Sequence, residues 1–122
     1  MAEGNTALVA RAFELFNARD GEGLAALMEP DGELFPYLID ERRGSGYRGC
    51  DGLRQYLRDV EAQFASFTVE IEELRDLADD VVFARGRLRG RLRAGATVDM
   101  PASWLWTVRQ GRVVRMQAHP TT

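Results

Sequence analysis

The sequence predicts an α+β fold, with three N-terminal helices packed on a curved, mainly antiparallel β-sheet. Three observations carry the prediction. Apolar residues recur at helical spacing in the first half of the chain, the period changes to two from Phe67 onward, and the run Val81 to Arg93 (VVFARGRLRGRLR) alternates. As a strand, that run puts Arg85, Arg87, Arg89, Arg91 and Arg93 on one face and Ala84, Gly86, Leu88, Gly90 and Leu92 on the other. As a helix it would scatter its arginines around the circumference and hold two interior glycines, each costing about 1 kcal/mol relative to alanine. The half-glycine face leaves room above the sheet for a closely packed helix or for a cavity.

Asn5 or Thr6 can cap a first helix whose buried stripe is Leu8, Val9, Ala12, Phe13 and Phe16, ending between Asn17 and Arg19. Asp20 and Gly21 make a turn and cap a short second helix, Glu22 to Met28, with Leu24, Leu27 and Met28 inward. Pro30, Asp31 and Gly32 break it. Glu33 to Leu38 reads as a first strand, confined by Pro36 to an edge or a bulge. The charged, glycine-rich stretch Asp40 to Tyr47 is a loop, and Gly49 to Asp51 open the longest helix, with Leu53, Tyr56, Leu57, Val60, Phe64 and Phe67 as its stripe. Four strands then form an antiparallel meander, turning at Asp79–Asp80, Gly95–Ala96 and Gln110–Gly111.

Turn centres at these positions set the strand register. They place Glu72 across from Arg85 and Glu70 across from Arg87, then Trp106 opposite Arg85, Trp104 opposite Arg87, and Arg115 beside Trp106. One face would then carry glutamates, arginines and tryptophans. The other would carry Val69, Ile71, Leu88, Asp99, Pro101, Ser103, Leu105, Val114, Met116 and Ala118, beneath the helices.

At 122 residues the chain is long enough for one core and too short for two, so residues 1–122 are expected to form a single domain. All 16 basic residues are arginine, against 19 acids, for a net charge of −3. A mildly acidic chain with pI near 5.2 argues against a nucleic-acid surface. The lone Cys50 excludes an internal disulfide and a cysteine-based zinc site, and His119, the one histidine, cannot build a metal centre or a triad alone. With no signal-peptide pattern and no apolar run long enough to span a bilayer, the expected compartment is the cytoplasm and no membrane partner is expected.

The order of elements, together with FNARDGEGLAALMEPDGEL, YRGCDGLRQYL and TVDMPASWLWTVRQGRVVRMQAH, resembles the NTF2-like superfamily, and within it the SnoaL-like domains related to polyketide cyclases and ketosteroid isomerase. The resemblance implies a cone-shaped pocket between helices and sheet, a homodimer through the outer sheet face, and no cofactor. It also argues against ketosteroid isomerisation. The isomerase's catalytic aspartate, its oxyanion-hole tyrosine and its protonated aspartate fall on Phe35, Ala12 and Ser103 here, and none of the three can do that work.

The expectation is therefore a small apolar or aromatic ligand in the cone, lined by Phe16, Phe35, Tyr56, Leu88, Ser103, Leu105 and Met116. Asp99 on the cavity face would carry protons and Tyr37 would donate a hydrogen bond, in cofactor-free chemistry of the isomerase, cyclase or dehydratase kind. Epoxide hydrolysis would need paired aspartates, and Asp99 stands alone on that face. Tyr47 can close over a ligand or simply anchor its loop, and Cys50 is a buried filler or a helix-N-terminal thiol. Two outward indoles among arginines would be a costly surface for a monomer, so Arg85, Arg87, Trp104, Trp106 and Arg115 are expected in the dimer interface. The alternative is a non-catalytic binding or dimerisation module.

Overall fold

The structure, a computed structural model, describes residues 4–36 and 46–120. Among these, helices α1 (Gly4–Asn17), α2 (Gly21–Leu27) and α3 (Gly49–Gln63) cover one face of a curved six-stranded sheet. Its strands are β1 (Met28–Phe35), β2 (Tyr47–Arg48), β3 (Phe64–Ala78), β4 (Val81–Leu92), β5 (Thr97–Arg109) and β6 (Arg112–Pro120), in the order β2-β1-β6-β5-β4-β3. Only β1 with β6 is parallel; the other pairs are antiparallel.

The helices bury the stripes their spacing predicts: Val9, Ala12, Phe13 and Phe16 in α1, Leu53, Tyr56 and Val60 in α3. Asp20 caps α2, its carboxylate accepting from the Gly23 amide at 2.9 Å. The α2 boundary differs from expectation, because Met28 is already extended and opens β1. The residue before a proline avoids helical backbone, and Pro30 places that restriction on Glu29. Pro30 to Gly32 do not end an element but sit in a bulge within β1, where the pairing with β6 shifts between Met28 and Glu33. Phe64 and Phe67 belong to β3 rather than to the α3 stripe, and Tyr47 leaves its expected loop to pair with Leu34. The remainder of that loop, to residue 45, lies outside the described residues.

Strand β4 faces as its alternation dictates. Ala84, Gly86 and Leu88 are buried, and Arg85, Arg87 and Arg89 point away from the helices. Glu70 stands opposite Arg87 as expected, but a bulge at Glu72 brings Glu73 opposite Arg85, and Arg85 bonds both carboxylates, at 3.3 and 3.1 Å.

Strand β5 is turned over relative to expectation. Arg85 pairs with Ser103 and Arg87 with Pro101, while Trp104 and Trp106 lie opposite Ala84 and Val82, buried under the helices. The cause is the hairpin. Leu92 N–H bonds Ala96 C=O, so three residues, Arg93 to Gly95, form the loop, with Gly95 at φ +112°. An odd-length loop shifts the pairing by an odd number of residues, which exchanges the two faces of the strand. The outer face consequently carries Asp99, Pro101, Ser103 and Leu105 and no indole. A further shift between Thr107 and Val108 in the β5–β6 ladder buries Val113 in place of Val114, and Arg115 pairs with Thr107 rather than Trp106.

Gly86 and Gly90 mark where the sheet bends. A Cβ on Gly86 would lie 1.9 Å from the Glu70 carbonyl oxygen, and one on Gly90 would lie 2.4 Å from that of Ser66. The neighbouring strand's backbone thus occupies the space a side chain would need, and only glycine permits this curvature. Gly86→Ala should destabilise the fold by about 3 kcal/mol, the upper end for overpacking, because the obstacle is backbone. Urea denaturation of the variant checks this; an unchanged midpoint would mean the two strands can separate without loss.

Candidate functional site

Between the helices and the inner sheet face lies a cavity of about 60 Å³. Ala12, Phe13 and Phe16 of α1 bound it above, Leu24 and Leu27 of α2 and Leu53 and Tyr56 of α3 close its sides, and Trp104, Trp106, Leu88 and Met116 form its floor. Phe13 stands between the two indoles, with ring centroids 5.1 Å from each and interplanar angles of 71° and 76°. Such edge-on packing suits the aromatic quadrupoles and is worth about 0.5–1.5 kcal/mol beyond area burial.

Of the expected lining, Phe16, Tyr56, Leu88 and Met116 are in place. Phe35, Ser103, Leu105 and Asp99 are not: each faces outward. Leu34 and Pro36 line the cavity in the place expected of Phe35, whose ring lies beneath the Arg115 guanidinium, 4.9 Å from its centroid. Ser103, Leu105 and Asp99 left the cavity with the reversal of β5. Tyr37 lies outside the described residues. The local alternation of β5 carried the missed signal. Val98, Met100, Ala102, Trp104, Trp106 and Val108 form an apolar set, whereas the residues between them are mixed.

The lining is poor in polar atoms and holds no carboxylate among the described residues. The described lining residues whose side chains carry strong hydrogen-bonding groups are Trp104, Trp106 and Tyr56. The Trp106 Nε1 is fully enclosed and has no hydrogen-bond partner. A buried donor left in that state costs about 1–3 kcal/mol. Tyr56 stacks on Phe16 at 5.7 Å and tilts against Tyr47 at 5.3 Å. Burial pushes its phenol well above the ordinary tyrosine value, offset in part by the Arg19 charge. It stays a neutral donor throughout the physiological range rather than becoming a base.

Two residues at the end of α1 tie it to β3 beside this cavity. The Asn17 amide pairs with both the N–H and the C=O of Val69, each at 2.9 Å. Arg19, at φ +58°, donates to the carbonyls of Phe16 and Phe67 at 2.7 and 2.5 Å and to the Glu61 carboxylate at 3.1 Å. Tyr47 is an anchor, donating to Asp59 at 2.5 Å, with Gln55 donating to the other Asp59 oxygen at 2.7 Å. Cys50 is half-buried, its sulfur 4.0 Å from the Ala25 carbonyl and away from the cavity lining. His119 is exposed, and no group of three metal-ligating side chains occurs among the described residues. Nor is any described helix long and apolar enough to cross a membrane.

Residues 9–116 match the SnoaL-like domain family. No curated protein matches the chain in sequence. Among solved structures, an NTF2-like protein of unknown function from Burkholderia pseudomallei is similar with a TM-score of 0.82 at 22% identity, over 93% of this chain and 88% of that one. TerC, co-crystallised with polyporic acid, gives 0.81 at 23% identity over the same shares. RV0760c from Mycobacterium tuberculosis, in complex with estradiol-17beta-hemisuccinate, gives 0.77 at 20% identity, over 93% and 91%. At these identities the likeness establishes the α+β cone alone.

Asp99 belongs to an ion-pair ladder on the outer face. Arg87 Nε donates to its Oδ1 at 2.8 Å and Arg89 Nε lies 3.7 Å away, while Arg89 also reaches Glu70 at 3.2 Å. The Arg87 hydrogen bond holds the Asp99 carboxyl below its ordinary value of 3.8, so at neutral pH it is an exposed anion. Because the folded-state value is the lower one, the pair's contribution to stability is present above the ordinary value and is lost as pH falls through the folded one. Asp99→Asn should therefore be slightly less stable than wild type at about pH 6, with the difference shrinking as pH falls below the ordinary carboxylate value. Denaturation midpoints across that range check it; a pH-independent difference would detach the effect from the carboxylate.

Proposed function

The chain belongs to the SnoaL-like domain family, matched over residues 9–116, and from that membership and the cavity we propose that it binds a small, neutral, apolar or aromatic molecule between its helices and sheet. The observation that carries the reading is a hollow of about 60 Å³, bounded by side chains from every helix, where a core is ordinarily close-packed. Similar folds crystallised with polyporic acid and with an estradiol derivative support it by analogy. Proton transfer is not part of the proposal, because the described lining has no carboxylate and Tyr56 holds its proton.

The size of the hollow also favours a second reading, a domain whose core is filled by its own side chains. A dry apolar cavity of roughly 150 Å³ takes up benzene, so at about 60 Å³ a ring enters only if side chains give way. Met28 and Met116, long and unbranched, are the lining residues suited to that movement. Toluene is expected to raise the melting temperature of the wild type, and to leave unchanged that of Ala12→Leu, which fills the hollow. If no apolar probe stabilises the wild type while Ala12→Leu raises its stability, the self-filled reading replaces ligand binding.

A homodimer through the outer sheet face belongs to the same proposal, without the indoles first assigned to it. Phe83, Leu105, Gln117 and Phe35 form one row across β4, β5, β6 and β1, flanked by Arg85 and Arg115, and their half-buried rings and leucine suit a second copy. Sedimentation velocity at micromolar concentration should give twice the chain mass of 13.7 kDa, and Leu105→Arg should halve it. A single-chain mass for the wild type would remove the interface.

A further inference from the structure

The hydrogen-bonding groups of the cavity are unbalanced, and the imbalance describes a ligand. Among the described lining residues, Trp104, Trp106 and Tyr56 carry N–H and O–H donors, while the Tyr56 oxygen is the one strong side-chain acceptor. No cationic side chain lines it to attract an anion, and no carboxylate to attract a cation, among the described residues. A water held there would find few partners among hydrocarbon walls. Trp106 Nε1 is the group whose need is unmet: it is enclosed, without a partner, on a residue 6% exposed that lies on the cavity floor.

We propose that the Trp106 indole N–H is a specificity-determining donor, and that the ligand is a neutral apolar molecule bearing a carbonyl oxygen that accepts from it. The inference rests on the ligand-binding reading above and adds to it the chemistry of the bound group. Met116 stands directly across from Trp106 on the same face of the sheet and also lines the cavity. Its flexible thioether is the cover that gives way when a ligand enters, opening the indole edge to the ligand oxygen. A carbonyl that satisfies an orphaned donor binds more tightly than a hydrocarbon of the same shape, whereas an ammonium, which brings donors to a donor, gains nothing.

The test compares cyclopentanone with methylenecyclopentane, equal in shape and differing in C=O against C=CH₂. The chain has two tryptophans, so the ¹⁵N-labelled full-length protein gives two indole N–H signals, assigned with Trp104→Phe and Trp106→Phe. Cyclopentanone is expected to move the Trp106 signal downfield, as a newly made hydrogen bond does, and methylenecyclopentane to leave it near its free position. Trp106→Phe should weaken cyclopentanone about tenfold and methylenecyclopentane less than about twofold. Should Trp106→Phe fail to fold, the wild-type comparison decides alone, with Trp104→Phe supplying the assignment. If both molecules bind and the Trp106 signal does not separate them, the N–H is committed elsewhere, as to the face of Phe13, and this inference falls while ligand binding stands. If neither binds, both fall.

Discussion

Phe13 between Trp104 and Trp106 is the contact on which the architecture turns, because it can exist only in one register of β5. The three rings join the first helix to the middle of the sheet and provide the floor and one wall of the cavity. A one-residue slip between β4 and β5 would send both indoles outward and bring Asp99 and Ser103 beneath the helices, replacing a dry interior with two unmatched polar groups. The hydrophobic effect thus sets the register, and the three-residue loop ending at Gly95 is the backbone form that accommodates it. The outer ladder of Arg85, Arg87 and Arg89 with Glu70, Glu72, Glu73 and Asp99 follows from the same choice.

Where residue pattern alone decides structure, the sequence was readable. The stripes of α1 and α3, the cap at Asp20 and the facing of β4 depend on periodicities of 3.6 and 2, which need no knowledge of partners. Register is different, since it depends on how many residues a turn absorbs and where a bulge adds one. A two-residue turn at Gly95–Ala96 and the three-residue loop observed are both common hairpin forms, yet they exchange Trp106 for Leu105 on the inner face. The bulge at Glu72 and the shift beyond Thr107 are similarly invisible to pattern. The even-numbered residues Val98 to Val108 of β5 did carry the answer, and they outweigh any inference from the turn. Phe16, Tyr56, Leu88 and Met116 were legible for the same reason that Asp99, Ser103 and Leu105 were not: their facing follows from residues close to them in the chain.

The glycines of β4 show how a correct observation can hold a different cause. A half-glycine inner face suggests space above the sheet, and a cavity is there. Yet Gly86 and Gly90 are small because the carbonyls of Glu70 and Ser66 crowd them from β3 as the sheet curves. Curvature then shapes the cavity indirectly, by wrapping β3 and β4 toward the helices, and Leu88 between the two glycines supplies the lining itself.

Moving the one expected acid out of the interior changes what kind of work the site can do. A buried carboxylate with a raised pKa exchanges protons near neutrality; the hydrogen-bonding side chains of the described lining, a phenol pushed further from neutrality and two indoles, do not. What such groups can do in a low-dielectric enclosure is donate hydrogen bonds without competition from water, and on the proposed reading that is how a ligand would be oriented. Each donor is fixed by packing rather than by another polar residue: Tyr56 by Phe16 and Tyr47, Trp104 and Trp106 by Phe13. These groups are therefore positioned by the core itself, and on the proposed reading the cost of binding would fall on opening the hollow rather than on assembling its chemistry.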